Sequence, residues 1–197
     1  MTEIDKHRPE AATTSEFSDA DQFEAMSHPG HLVRRLHQIC VAVFLEAARD
    51  YNLTPVQYAA LMALQRFPGI DQTRMGKLIA LDRQTTSNVI TRLVDKGLVD
   101  RRRKDKRTNA LYLTVGGRVL VDAMRPRLRA ADEIILQPLS SSECETFMRL
   151  LKKLVGDNNE LSRAPQMPVN FLANGAGTQG AGHRAPVPVN GSCSDLT

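Results

Sequence analysis

From Leu32 the apolar residues Leu32, Leu36, Ile39, Val43 and Ala47 recur at steps of three and four. They therefore share one face of a helix of roughly 20 residues, ending near Tyr51 and Asn52. Thr54-Pro55-Val56-Gln57 supplies an N-cap, a proline at the first helical position and a glutamine able to bond back to the cap, so a second helix starts here. Val56, Ala60, Leu64 and Phe67 make its inner face, and Pro68-Gly69 stops it. Asp71 suits the cap of a short third helix through Lys77-Leu78-Ile79. Asp82 suits the cap of a fourth, after a tight turn at Ala80-Leu81. That is a helix-turn-helix spacing. In the fourth helix Val89, Ile90, Leu93 and Val94 face inward, which leaves Arg83, Gln84, Ser87, Asn88, Thr91 and Arg92 on the outer sides. Gly97 falls at the C′ position, where a left-handed residue ends a helix.

Beyond Gly97 the period changes. Leu98-Val99 and Leu111-Tyr112-Leu113 are strand-like runs around the turn formers of Asp105-Lys106-Arg107-Thr108-Asn109, so the pair predicts a β-hairpin. Thr114 suits the cap of a fifth helix with Val119, Leu120, Met124, Leu128, Ala131 and Ile135 on its apolar side. Pro126 lies inside it and is expected to kink or break it near Arg125. Ser140-Ser141-Ser142-Glu143 reads as a capping box for a sixth helix with a stripe of Phe147, Leu150, Leu151 and Leu154. The fold class that follows is mainly α with a small β-wing: a winged helix-turn-helix. Residues 1–21 are polar without a period and are expected to form a disordered arm. From 163 to 197 the chain holds four Pro and five Gly, so a disordered tail is expected over 159–197. The folded body is placed at 22–158, its helix-turn-helix and wing at about 54–114, and its long flanking helices at about 30–51 and 115–157.

Composition narrows the class. At 197 residues with 42% hydrophobic content the chain can fill a core without metal or disulfide. No apolar run approaches the roughly 20 residues that span a bilayer, so no membrane partner is expected. The polar start lacks the order of a secretory signal, which implies a cytoplasmic address. Cys40, Cys144 and Cys193 form no metal or disulfide pattern, and no cofactor is implied. GxSxG, HExxH, P-loop and GxGxxG motifs are all missing, and Gly116-Gly117 has no phosphate-loop continuation, so no catalytic residues are assigned.

The formal net charge of +4 says little, but residues 101–107 carry six basic side chains and one acid. A charge run is usually just a solvated turn. Here it follows a capped helix at helix-turn-helix spacing, and together the two point to double-stranded DNA. A helix fits the major groove, and Arg83, Gln84, Thr85, Thr86, Ser87, Asn88, Thr91 and Arg92 carry groups able to reach base edges or flanking phosphates. Arg101, Arg102, Arg103, Lys104 and Lys106 would neutralise phosphates, and Arg107 at the hairpin tip would enter a narrow minor groove. Asp105 would pair with a wing arginine and set the hairpin's shape.

These residues also carry a resemblance. The order of helices, the segment DRQTTSNVITRLVDKGLV and the wing signature Asp105-x-Arg107 … Leu111-x-Leu113-Thr114 resemble the MarR family of bacterial transcription regulators over about residues 30–155. The resemblance implies N- and C-terminal dimerisation helices, an obligate homodimer, a recognition role for the fourth helix and repression as the sign of regulation. Amphipathic stripes on helices one, five and six suit a shared interface independently, and two-fold symmetry would demand a pseudo-palindromic operator. The resemblance further implies release of DNA by a small aromatic carboxylate. His31, Arg34 and His37, with Tyr58 on helix two, are the candidate effector-binding residues. HPGHLVRRLHQ followed by LTPVQYAAL is similar to family members that control aromatic and nicotinate catabolism, so 6-hydroxynicotinate is the expected effector. Two alternatives stand beside this: a redox-sensing repressor acting through a cysteine, for which Cys40 lacks a pKa-lowering neighbour, and a winged helix that docks proteins instead of DNA.

Overall fold

The computed structural model describes residues 26–103 and 109–168. Contacts divide the chain into two units, Met1–Ile39 and Cys40–Thr197, with the boundary inside the first helix. The arm expected over residues 1–21 lies outside the described residues.

Helix α1 spans Pro29–Ala47 and is followed by a 3-10 turn, Arg49–Tyr51. Asn52 ends that turn in the left-handed region at φ 48°, a conformation asparagine tolerates better than most residues. The first unit contains α1 up to Ile39; the second contains everything below.

Helix α2 spans Pro55–Arg66, and both halves of its capping box are formed: Gln57 N donates to Thr54 Oγ1 at 3.3 Å and Thr54 N to Gln57 Oε1 at 3.1 Å. Helices α3 (Gln72–Leu78) and α4 (Arg83–Asp95) begin on Asp71 and Asp82 as expected. Ala80 takes φ 54° in the turn between them. Gly97, at φ 68°, is the C′ residue of α4, with Gly97 N bonded to Val94 O and Leu98 N to Leu93 O; these bonds satisfy carbonyls that a helix end leaves open. Strands β1 (Val99–Arg103) and β2 (Asn109–Leu113) pair antiparallel, in register from Val99 opposite Leu113 to Arg103 opposite Asn109. The α2–α3 link joins this ribbon's edge: Gly69 N donates to Leu111 O at 2.8 Å and Leu111 N to Ile70 O at 3.0 Å. Helices α5 (Val115–Leu136) and α6 (Ser141–Asp157) close the fold, followed by a 3-10 turn, Asn159–Leu161.

One apolar cluster holds α2 to α5 together, with Leu61, Leu64, Met75, Ile90, Leu93, Leu111 and Val121 fully buried. Each such side chain contributes about 1.5–3 kcal/mol of burial. No described helix is long and apolar enough to cross a membrane.

Three expectations need correction. Pro126 does not break the fifth helix, which runs unbroken from Val115 to Leu136. The proline is exposed, so its ring meets solvent instead of packed neighbours, while Met124 and Ala131 on either side are buried and hold both halves. Val119 and Val56 are exposed and not inward; Val121 takes the place expected of Val119, because α5 is rotated so that residues 117, 121 and 124 face the winged unit. The expected stripe on α6 is present and largely open to solvent, with Leu154 62% exposed. Finally, residues 159–168 are not a free tail. Asn159 Oδ1 accepts from Gln166 N at 2.8 Å, Gln166 Nε2 donates to Leu78 O at 2.8 Å, and Met167 N donates to Lys77 O at 2.8 Å. These bonds satisfy the last carbonyls of α3.

Candidate nucleic-acid interface

Helix α4 is built to present one polar face. Asp82 accepts from Thr85 N at 2.8 Å and from the Thr85 hydroxyl at 2.6 Å. The Thr85 hydroxyl, then its backbone N–H, hold the Asp82 carboxyl below the usual carboxylate range, because both donate to the charged form. Val89, Ile90 and Leu93 fix the opposite face in the core. Arg83, Gln84, Asn88, Thr91 and Arg92 are exposed, and Gln84 Nε2 donates to Asn88 Oδ1 at 3.2 Å. That bond pre-positions two amides at i and i+4, the side-chain type that reads adenine in the major groove. Ser87 and Thr85 are half-buried at the edges of this face.

Thr86 does not belong with them. It is 1% exposed, its hydroxyl donates back to Asp82 O at 2.7 Å, and it faces Gly76 of α3. The sequence reading groups Thr86 with the side chains that reach base edges; the close approach of α3 at a glycine buries it. Thr86 is a structural contact and not a base reader.

The ribbon runs beside α4. Arg101 donates to the Thr91 hydroxyl at 2.9 Å, tying the first basic residue of β1 to the helix. Arg102 lies 4.7 Å above the Tyr112 ring and 3.7 Å from Asp100, a pair of exposed contacts that orient the guanidinium at little net gain. Arg103 completes the strand. Lys104, Asp105, Lys106 and Arg107, expected to form the tip, lie outside the described residues. A depression of about 760 Å³ separates ribbon and helix, bordered by Lys77, Arg83, Arg101 and Asn109 and, from the C-terminal segment, Arg163. Neither Lys77 nor Arg163 was assigned a role from the sequence; Arg163 sits in a Pro-rich segment with no local signal of where it returns.

Of the candidate effector residues, His31, Arg34 and His37 follow one another at three-residue steps along α1 within Met1–Ile39. Arg34 and His37 are exposed and His31 is half-buried. Tyr58 belongs to the other unit, on α2. Its ring lies 6.1 Å from that of Phe44, and burial raises its phenol above the ordinary value. Cys40 is half-buried and Cys144 buried. Among the described residues no group of His, Cys, Asp and Glu could hold a metal ion.

A capped helix with a polar outer face, set by a tight turn against a shorter helix and flanked by a basic two-stranded ribbon, defines a winged helix-turn-helix protein. The MarR family model matches residues 51–107. The repressor NicR of Pseudomonas putida is 31% identical over 144 residues, which cover 72% of this chain and 90% of that one. A probable transcriptional regulator from Pseudomonas aeruginosa superposes with a TM-score of 0.64 at 32% identity, over 66% of this chain and 98% of the other. Bordetella bronchiseptica BpsR, whose DNA binding is regulated by 6-hydroxynicotinic acid, gives a TM-score of 0.63 at 30% identity over 66% and 96%. The chain belongs to the MarR family of transcriptional regulators.

Proposed function

We propose that the chain is a homodimeric repressor that binds a pseudo-palindromic operator and leaves it when a small aromatic acid such as 6-hydroxynicotinate binds. The observation that carries the DNA-reading part is the side-by-side placement of the Gln84–Asn88 amide pair on α4 and the Arg101–Thr91 tether of the basic strand. The first sets side chains for base edges, the second sets a cation for the adjoining phosphates. Sequence readout falls to Gln84, Asn88 and Arg92, with Arg83, Thr85, Ser87 and Thr91 around them. Arg101, Arg102 and Arg103, continued by Lys104 and Lys106, take the backbone, and Arg107 takes the minor groove.

The dimer is supported by apolar surface left open along the closing helices. Val119 and Ile134 on α5 and Leu154 and Val155 on α6 are exposed, more large apolar groups than a lone chain leaves along neighbouring elements. A second copy is the natural cover. The effector class is supported by the similarity to BpsR and by the basic side chains His31, Arg34 and His37 on α1, which suit a carboxylate; Tyr58 offers a ring face on α2.

The test is a binding titration with DNA from upstream of the gene, monitored by fluorescence anisotropy. Arg92→Ala and Asn88→Ala should change which sequences bind, and 6-hydroxynicotinate should release the wild type while Arg34→Ala resists release. Release by salicylate or urate but not by 6-hydroxynicotinate would reject the effector; release by peroxide reversed by dithiothreitol would favour the cysteine switch; no duplex binding at all would leave a protein-docking winged helix.

A further inference from the structure

We infer that residues 159–167 form a strap that adds Arg163 to the DNA-binding surface as a phosphate contact, so that this regulator grips DNA with a third element besides the helix and the wing. The inference rests on the DNA-reading assignment of α4 and the ribbon. The strap is a built structure. Asn159 closes it by accepting from Gln166 N at 2.8 Å and donating to Gln166 O at 3.1 Å, as a backbone partner would. Ser162 Oγ accepts from Ala164 N at 3.2 Å inside the loop. The strap is then moored on α3, through Gln166 Nε2 to Leu78 O and Met167 N to Lys77 O, both at 2.8 Å, and Met167 packs against the central cluster.

This mooring puts Arg163 on the rim of the depression between α4 and the ribbon, together with Lys77, Arg83 and Arg101. Asp71 and Asp82 also border it, but both carboxylates are engaged as helix caps, by Arg74 N at 2.9 Å and Thr85 N at 2.8 Å. Among the described residues, no ion pair to a carboxylate is formed by Lys77, Arg83, Arg101 or Arg163. Four cations against two carboxylates leave the concavity with an excess of positive charge, which favours an anion placed among the cations. On a duplex read by α4 in the major groove and by the wing in the neighbouring minor groove, the strand that separates the two grooves has to pass here. The strap carries one acid, Glu160, and one base, Arg163, and of the two it is Arg163 that borders the depression.

The experiment uses the full-length protein and its operator duplex, with salt varied from 50 to 300 mM. Each phosphate contact contributes a slope of about −0.9 in log K against log salt, or about five-fold in affinity near 0.15 M. Arg163→Ala should therefore weaken binding about five-fold per copy bound, about thirty-fold for a two-fold-symmetric complex, and shallow the slope by about 0.9 per copy, without changing the preferred sequence. Arg163→Lys should keep the slope. Asn159→Ala, checked for unchanged thermal unfolding, should lose part of it by freeing the loop. If Arg163→Ala leaves affinity and slope unchanged while Arg92→Ala and Arg101→Ala weaken binding, the strap is no contact and the inference fails with the DNA-reading face intact. Tighter binding after Arg163→Ala or after truncation at Asn158 would make the strap a shield and overturn it equally. Silence of Arg92→Ala and Arg101→Ala as well would overturn both.

Discussion

Replacing Gly76 by alanine tests the joint on which the reading helix hangs. A Cβ built at Gly76 would stand 2.6 Å from Thr86 Oγ1 and 3.2 Å from Leu81 O. The second distance is tight but tolerable; the first is well inside van der Waals contact. Thr86 cannot simply withdraw, because it is 1% exposed and its hydroxyl donates to Asp82 O at 2.7 Å. Rotating it forfeits that bond, about 1 kcal/mol, and forcing the helices apart costs about 1–3 kcal/mol of overpacking. Against this, alanine is better than glycine inside a helix by about 1 kcal/mol. The net expectation is a loss of roughly 1–3 kcal/mol, read as a lower urea midpoint at one fixed protein concentration, since the stability of the proposed homodimer would depend on concentration. Thr86→Ala removes the obstructing oxygen. In that background Gly76→Ala should be neutral or stabilising, a coupling of about 2 kcal/mol between the two sites. If Gly76→Ala instead raises the midpoint by its helix propensity in the wild-type background, α3 and α4 are not in rigid contact and the geometry given for Thr86 is wrong.

Two further predictions concern helix starts. At Gly117 a Cβ would lie 2.3 Å from Leu98 O, a backbone oxygen already accepting from Thr114 N; Gly117→Ala should cost about 3 kcal/mol or abolish folding, while Gly116→Ala, with no neighbour nearer than 3.7 Å, should be neutral or mildly stabilising, both read by urea midpoint. Equal effects at the two glycines would contradict the packing of α5 on the wing. At Asp82 the folded-state pKa is lowered, first by the Thr85 hydroxyl, so its charged form contributes stability above the ordinary carboxylate pKa of about 3.9 and loses it as pH falls through the folded value. Wild type should therefore exceed Asp82→Asn in urea midpoint at pH 7, with the gap closing toward pH 3; a gap of constant size would show that charge plays no part in the cap.

The elements were legible because their signals are local. Thr54, Asp71, Asp82 and Thr114 each bond to a backbone N–H three residues on, and side chains at that spacing need no tertiary information to find one another. Gly97 is legible for the same reason. What escaped depends on approach between distant segments. Thr86 is buried by a glycine ten positions earlier, and nothing in the fourth helix's own period distinguishes it from Ser87. Arg163 is placed by bonds from Gln166 and Met167 to carbonyls of α3, and carbonyls carry no sequence identity at all. Pro126 does not end the helix because its missing hydrogen bond is a fixed local cost, while the burial of Met124 and Ala131 on either side is tertiary.

The same bonds constrain how DNA could be released. Helix α3 is held at its start by the Asp71–Ala110 bridge to the ribbon and at its end by the strap, and α4 is seated against it at Gly76 and tied to β1 through Thr91 and Arg101. Wing, reading helix and strap are thus one mechanical body around α3, with few soft degrees of freedom between them. A ligand that reoriented α4 alone would have to break the Arg101–Thr91 bond and the Thr86 contact together. Moving the body as a whole breaks neither. The handle is already present: α6 ends at Asp157, the turn Asn159–Leu161 follows directly, and the strap begins there, so a shift of α6 pulls on the carbonyl end of α3. In the proposed homodimer, release by displacement of intact reading units would keep both contacts and leave the Gln84–Asn88 pair in place for the next binding event.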